Sequence, residues 1–113
     1  MSELFEIRKK AYLISTDKLK LNVQLIHHFL STQSYWAENI PFNVLQKAID
    51  NSLCFGVYFE NSQIGFARTV TDKATFAYLA DVFILSEYRN KGLGKWLLEN
   101  IHAHPELQKN NWV

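Results

Sequence analysis

With 113 residues, 48% of them hydrophobic and 14% aromatic, the chain is long enough for one packed core, too short for two, and too apolar to be disordered. A formal net charge of +1 gives no support to general binding of nucleic acid or of an anionic membrane surface. One cysteine, Cys54, excludes an internal disulfide and fits a reducing compartment. No apolar run reaches the roughly 18 residues of a membrane span, and the N-terminus carries no signal-peptide core. The expectation is a cytoplasmic protein with no nucleic-acid and no membrane partner.

The elements follow in order, without linker or repeat. Ala11 to Ser15 reads as a short first strand. From Asn22 to Ser31, Leu25, Ile26, Phe29 and Leu30 form a stripe at helical spacing. A second helix is predicted from Pro41 to Asp50, with Leu45, Ala48 and Ile49 inward and Pro41 tolerated in the first turn. The period then changes: Leu53, Phe55, Val57 and Phe59 alternate, Asn61-Ser62 turns, and Ile64, Phe66 and Ala67 continue into a paired strand. Asp72-Lys73 makes the next turn, and Thr75 to Leu85 forms a fourth strand, apolar on both faces as in a strand covered by helices. Leu93, Leu97, Leu98 and Ile101 give a third helix its core face. Strand–helix–helix–strand–strand–strand–helix is an α+β order.

The stretch richest in chemistry joins the fourth strand to the third helix: Arg89-Asn90-Lys91-Gly92-Leu93-Gly94-Lys95. Gly92 and Gly94 carry no Cβ, so a ligand can approach the backbone closely. The first N–H groups of the helix have no intrahelical partners and face negative charge favourably. Arg89, Lys91 and Lys95 add cations. These features describe a cradle for the pyrophosphate of a nucleotide-type cofactor. A Walker-type loop needs four residues between its glycines and then Lys-Ser/Thr, which Gly92-Leu93-Gly94-Lys95-Trp96 does not supply. A dinucleotide fingerprint needs a third glycine where Leu97 stands, and too few residues follow for a second βα unit. What remains is Arg-x-x-Gly-x-Gly at a strand–helix junction.

That loop, joined to the lead-in Tyr78-Leu79-Ala80-Asp81-Val82-Phe83-Ile84-Leu85-Ser86-Glu87-Tyr88 and the hairpin before it, resembles the GCN5-related N-acetyltransferases over almost the whole chain. The resemblance implies an acyl-CoA N-acyltransferase fold: a layered α/β/α domain over residues 1–113, with a mixed, mostly antiparallel sheet and flanking helices. It implies acetyl transfer from acetyl-CoA to a primary amine of a small molecule or peptide, with acetyl-CoA as cosubstrate and no metal. By position, Val82, Phe83 and Ile84 would contact the pantetheine arm and acetyl carbonyl at a bulge, and Arg89, Asn90, Lys91, Gly92, Leu93, Gly94 and Lys95 would hold the pyrophosphate.

Asp81 is costly to bury in an apolar run unless hydrogen-bonded or functional, so it is either a catalytic base or acceptor-binding group, or a satisfied structural carboxylate. Tyr35 and Trp36, between the first two helices, fall where the family builds its acceptor wall; packing over the core is the alternative. Trp112-Val113 resembles the opening of a fifth strand. Against the family pattern the closing strands and a helix are missing, so the expectation is a C-terminally incomplete domain with an apolar sheet edge open to a homodimer. A non-catalytic CoA-binding relic or interaction module stays open beside the enzyme.

The remaining polar candidates receive structural roles. His27 and His28 lie off the apolar stripe and are expected to be solvated. His102 and His104 end the third helix, where imidazolium would complement the dipole. Cys54 is expected to be a small buried residue. Arg68 is taken as an exposed strand charge, with binding of a substrate carboxylate as the alternative.

Overall fold

The computed structural model describes residues 4–108 and 111–112. Its strands are β1 (Glu6–Lys9), β2 (Tyr12–Ser15), β3 (Leu53–Phe59), β4 (Ser62–Thr71), β5 (Phe76–Ile84) and β6 (Asn111–Trp112), and its helices are α1 (Val23–Gln33), α2 (Phe42–Asp50) and α3 (Leu93–Ala103). The strands lie in one sheet in chain order. β1 to β5 pair antiparallel, and β6 joins β5 in parallel through Phe76↔Asn111 and Ala77↔Trp112. This is the mixed, mostly antiparallel sheet expected from the sequence. Val113 lies outside the described residues.

Alternation along the strands divides the core between two faces. Ile14, Phe55, Val57 and Ala67 pack with Leu93, Leu97 and Ile101 of α3 on one side. Cys54, Phe66 and Phe83 pack with Ile26, Phe29 and Leu30 of α1 and Leu45 and Ile49 of α2 on the other. Full burial of each large apolar side chain contributes about 1.5–3 kcal/mol, so both helix layers are tied to the sheet by hydrophobic burial. The helix ends follow local chemistry: the Asn22 side chain accepts from Leu25 N–H at 3.0 Å, and Pro41, extended at φ −64°, precedes α2.

Several expectations are corrected. β1 carries no alternating apolar signal because Glu6, Arg8 and Lys9 are exposed; it exists by pairing with β2 across a turn in which Lys10 takes φ 57°. The hairpin turn between β3 and β4 falls at Glu60-Asn61, and Ser62 already pairs with Phe59. α1 runs on to Gln33, with the hydroxyls of Ser31 and Thr32 bonded back to the carbonyls of His27 and His28. Leu98 is 37% exposed and is not part of the core face of α3. Nor is β5 covered on both faces: Phe76 and Tyr78 are 39% and 45% exposed, because neither α1 nor α2 reaches the start of the strand.

Candidate functional site

The register of β5 breaks at one place. Arg68 pairs with Ala80 and Phe66 with Phe83, so Ala67 alone faces both Asp81 and Val82. This is a bulge, and Asp81 takes φ 54° to make it, a conformation that Asp tolerates better than most residues. In an unbroken strand Ala80 and Asp81 would face opposite sides. Here both line one pocket of about 520 Å³, together with Trp36, Ala37, Glu38, Asn39, Ile40, Pro41, Arg68 and Tyr78.

Asp81, 9% exposed, is held from two sides. Arg68 Nε donates to its Oδ2 at 2.7 Å, and Trp36 Nε1 donates to its Oδ1 at 2.9 Å. Arg68 Nη1 in turn donates to Ser52 Oγ at 3.2 Å. The carboxylate is therefore paired and satisfied, which removes most of the cost of burying it. The expectation that Arg68 is an exposed strand charge is corrected: its side chain is 19% exposed and belongs to this network. Sequence reasoning also missed Tyr78 as a wall and Ser52 as a brace. A signal was available, since two residues of opposite charge interrupt neighbouring apolar strands. Of the two residues expected in an acceptor wall, Trp36 reaches this pocket; Tyr35 is 89% exposed and packs edge-on against the Trp36 ring, outside the pocket lining.

Beyond the bulge, β5 leads to the second pocket. Val82 is half-buried on the α3 side, and Phe83 stacks on Phe29 with centroids 3.9 Å apart, so Phe83 offers a passing ligand only its backbone. Beyond Ala77, the far edge of β5 has no strand partner among the described residues. A 3-10 turn at Ser86–Tyr88 then brings the chain to Arg89, whose Nε donates to the Ile84 carbonyl at 2.8 Å and fastens the loop to the strand end. Asn90 and Gly92 follow at φ 63° and 79°. A cavity of about 380 Å³ is lined by Ile84, Tyr88, Arg89, Asn90, Gly92, Leu93 and Gly94. The first backbone bond of α3 runs from Trp96 N–H to the Gly92 carbonyl, so the N–H groups of Leu93, Gly94 and Lys95 have no intrahelical partner. A Cβ built on Gly92 or Gly94 would meet no atom within 4 Å, so the space over both is open. Lys91 and Lys95 are exposed and stand outside the pocket lining, and the Leu93 side chain is buried in the core.

The other polar candidates serve structure. A His27 ring nitrogen lies 2.8 Å from the Ile40 carbonyl and anchors the α1–α2 loop, while His28 is exposed. His104 is 3% exposed, its Nδ1 accepts from Glu106 N–H at 3.0 Å, and burial holds its pKa below the usual range; the expected imidazolium at this helix end is corrected to a neutral ring. His102 is exposed and packs on Trp112. Cys54 is 1% exposed, and burial pushes its thiol up to about 12. Among the described residues, no group of three or more His, Cys, Asp or Glu side chains could hold a metal, and no helix is long and apolar enough to cross a membrane.

Comparison with known proteins adds four observations. Residues 23–105 match the model of the acetyltransferase (GNAT) family. A provisionally named acetyltransferase of Gibberella zeae is 36% identical over 121 aligned positions, which span 87% of this chain and 68% of that protein. The crystal structure of a provisionally named GNAT-family acetyltransferase from Xanthomonas campestris superposes with a TM-score of 0.84 at 41% identity, covering 100% of this chain and 76% of that one. Arabidopsis thaliana Naa50, in complex with a bisubstrate analogue, shares the fold at a TM-score of 0.57 and 15% identity, covering 97% of this chain and 68% of that one.

Proposed function

The chain belongs to the acetyltransferase (GNAT) family, and from that premise we propose that it moves the acetyl group of acetyl-CoA to the primary amine of a small molecule or peptide held in the Asp81 pocket. The observation that carries this is the bulge at Asp81, which joins the pocket lined by Trp36, Arg68 and Asp81 on one side to the Gly92–Gly94 loop on the other. Asp81 and Ile84 lie three steps apart along β5, about 10 Å of strand, so a reacting centre on Val82 and Phe83 lies within reach of both pockets.

The loop fits a pyrophosphate. The free N–H groups of Leu93, Gly94 and Lys95 and the positive end of α3 would hold its oxygens, with no Cβ on Gly92 or Gly94 in the way. Arg89 braces the loop through Nε and keeps its Nη groups for charge, and Lys91 and Lys95 add a positive rim. The backbone of Val82, Phe83 and Ile84 would carry the pantetheine arm along the open edge of β5. When bound, acetyl-CoA supplies an activated acyl group on a thioester.

On the acceptor side, an alkyl ammonium with pKa about 10 must lose a proton before it can attack. Both Asp81 oxygens already accept hydrogen bonds from protein donors, so taking a full proton there would cost the Arg68 and Trp36 contacts. Asp81 therefore acts as the anchor that orients the amine and favours the positive charge developing on it, and solvent in the pocket takes the proton. Calorimetric titration of acetyl-CoA, followed by thiol release against an amine panel, tests the proposal. Saturable binding and amine-dependent release are expected, and a folded sample that binds no acetyl-CoA would overturn it. Binding without release for every amine would favour the non-catalytic CoA-binding module.

A further inference from the structure

Resting on acetyl transfer as proposed above, we infer that the acceptor is a zwitterionic α-amino acid with a planar side chain: its amine sits on Asp81, its carboxylate on Arg68 Nη2, and its ring between Trp36 and Tyr78.

The pocket floor presents two opposite charges side by side, each with bonding capacity left over. Arg68 spends Nε on Asp81 and Nη1 on Ser52, and Nη2 has no protein partner among the described residues. Each Asp81 oxygen accepts one protein donor and can accept another. A ligand matching both vacancies carries an amine and a carboxylate close together, as on a single carbon. A simple alkylamine would engage Asp81 and leave Nη2 to water. A dianion would meet Nη2 but suffer repulsion from the Asp81 carboxylate. The guanidinium is already fixed at two nitrogens, so binding a carboxylate costs little ordering of the arginine.

The walls specify the rest of the ligand. Trp36 and Tyr78 are 48% and 45% exposed and both line the pocket, leaving aromatic surface uncovered. Ala80 lies between Tyr78 and Asp81 in the chain, lines the same pocket, and contributes only a methyl group. In the transfer itself the neutral amine forms the new C–N bond as the C–S bond breaks. The proton lost from nitrogen goes to solvent, and the departing thiolate takes one from solvent, giving an N-acetyl amino acid and free CoA.

The test compares L-phenylalanine, L-phenylalaninamide and phenethylamine as acceptors, with kcat/KM expressed per unprotonated amine. A charge-assisted contact at Nη2 predicts that L-phenylalanine exceeds phenethylamine by about tenfold to a hundredfold, with the amide between them. Arg68→Lys keeps a cation for Asp81 but loses the fork, so the ratio should collapse towards one while acetyl-CoA affinity holds. Equal or better rates with phenethylamine or the amide would overturn the carboxylate site and leave acetyl transfer standing. So would an unchanged ratio in Arg68→Lys, or acetyl-CoA binding with none of the three acetylated. Absence of acetyl-CoA binding would remove acetyl transfer and this inference together. If Arg68→Lys fails to fold, the comparison in the unaltered protein still decides.

Discussion

Trp36 and Asp81 stand 45 positions apart in the chain and meet through a 2.9 Å hydrogen bond from the indole N–H to the carboxylate. The bond closes the α1–α2 loop over the bulge of β5 and makes one pocket wall depend on the residue at its floor. Trp36→Phe keeps an aromatic wall and deletes the donor. Its expected effect is a loss of about 1–2 kcal/mol in urea unfolding, together with a higher KM for the amine at little-changed affinity for acetyl-CoA. An unaltered amine KM would show that the bond does not shape the pocket.

Asp81→Ala should destabilise more than Asp81→Asn. Alanine strands the partly buried Arg68 guanidinium, whereas the asparagine side-chain carbonyl still accepts one of the bonds. A loss of about 2–3 kcal/mol is expected for the alanine variant, below that of a fully enclosed pair because Arg68 keeps some solvent contact. Both variants should lose amine turnover. The urea midpoints rank them, and midpoints equal to that of the unaltered protein would argue that the pair contributes nothing to folding.

Gly94→Val separates binding from folding at the loop. No atom lies within 4 Å of the added Cβ, so the fold should tolerate the change, while the branched side chain fills the space over the free N–H groups. Acetyl-CoA affinity should fall at least tenfold, or by about 1.4 kcal/mol, with the melting temperature nearly unchanged. Gly92→Val mixes two effects, since φ 79° strains any L side chain there by about 1–2 kcal/mol before a ligand arrives. Full calorimetric affinity in Gly94→Val would displace the pyrophosphate from this loop.

His104 makes stability depend on pH. An unfolded imidazole titrates near 6.5, and burial lowers the folded value. As pH falls from 6.5 through the folded value, the unfolded chain takes up a proton that the folded chain resists, and stability drops. Above that window both states are neutral and the term vanishes. His104→Asn, which can still accept from Glu106 N–H, should flatten this acid limb in denaturant titrations at successive pH values. An identical slope would locate the acid sensitivity elsewhere.

Cys54 should be inert. At 1% exposure, with its thiol pushed up to about 12, it carries almost no thiolate at neutral pH. Labelling by a disulfide reagent should be negligible in the native protein and complete in denaturant. Rapid native labelling would mean that β3 opens readily.

Legibility differed with the kind of interaction. α1, α2 and α3 were readable because Leu25, Ile26 and Phe29, Leu45 and Ile49, and Leu93 and Leu97 recur at helical spacing. β1 was not, because its residues Glu6, Arg8 and Lys9 show no buried face and gain strand form only by pairing with β2. The sequence suggests a charged helix end at His104, because nothing local reveals that Phe5 and Phe55 pack against its ring.

The sequence by itself determined the family, the order of the elements from β2 to α3, and the Gly92–Gly94 loop. The family rests on likeness to known sequences, and the other two on local chemistry: side-chain period, glycine freedom and the unpartnered amides that open any helix. Only the tertiary structure decided that Arg68, Asp81, Trp36 and Tyr78 share one pocket. That outcome depends on strand register, on a bulge that turns Asp81 to the side of its neighbour Ala80, and on a loop folding back across the sheet. Those are contacts between distant segments, fixed by burial and pairing rather than by any residue's own preference.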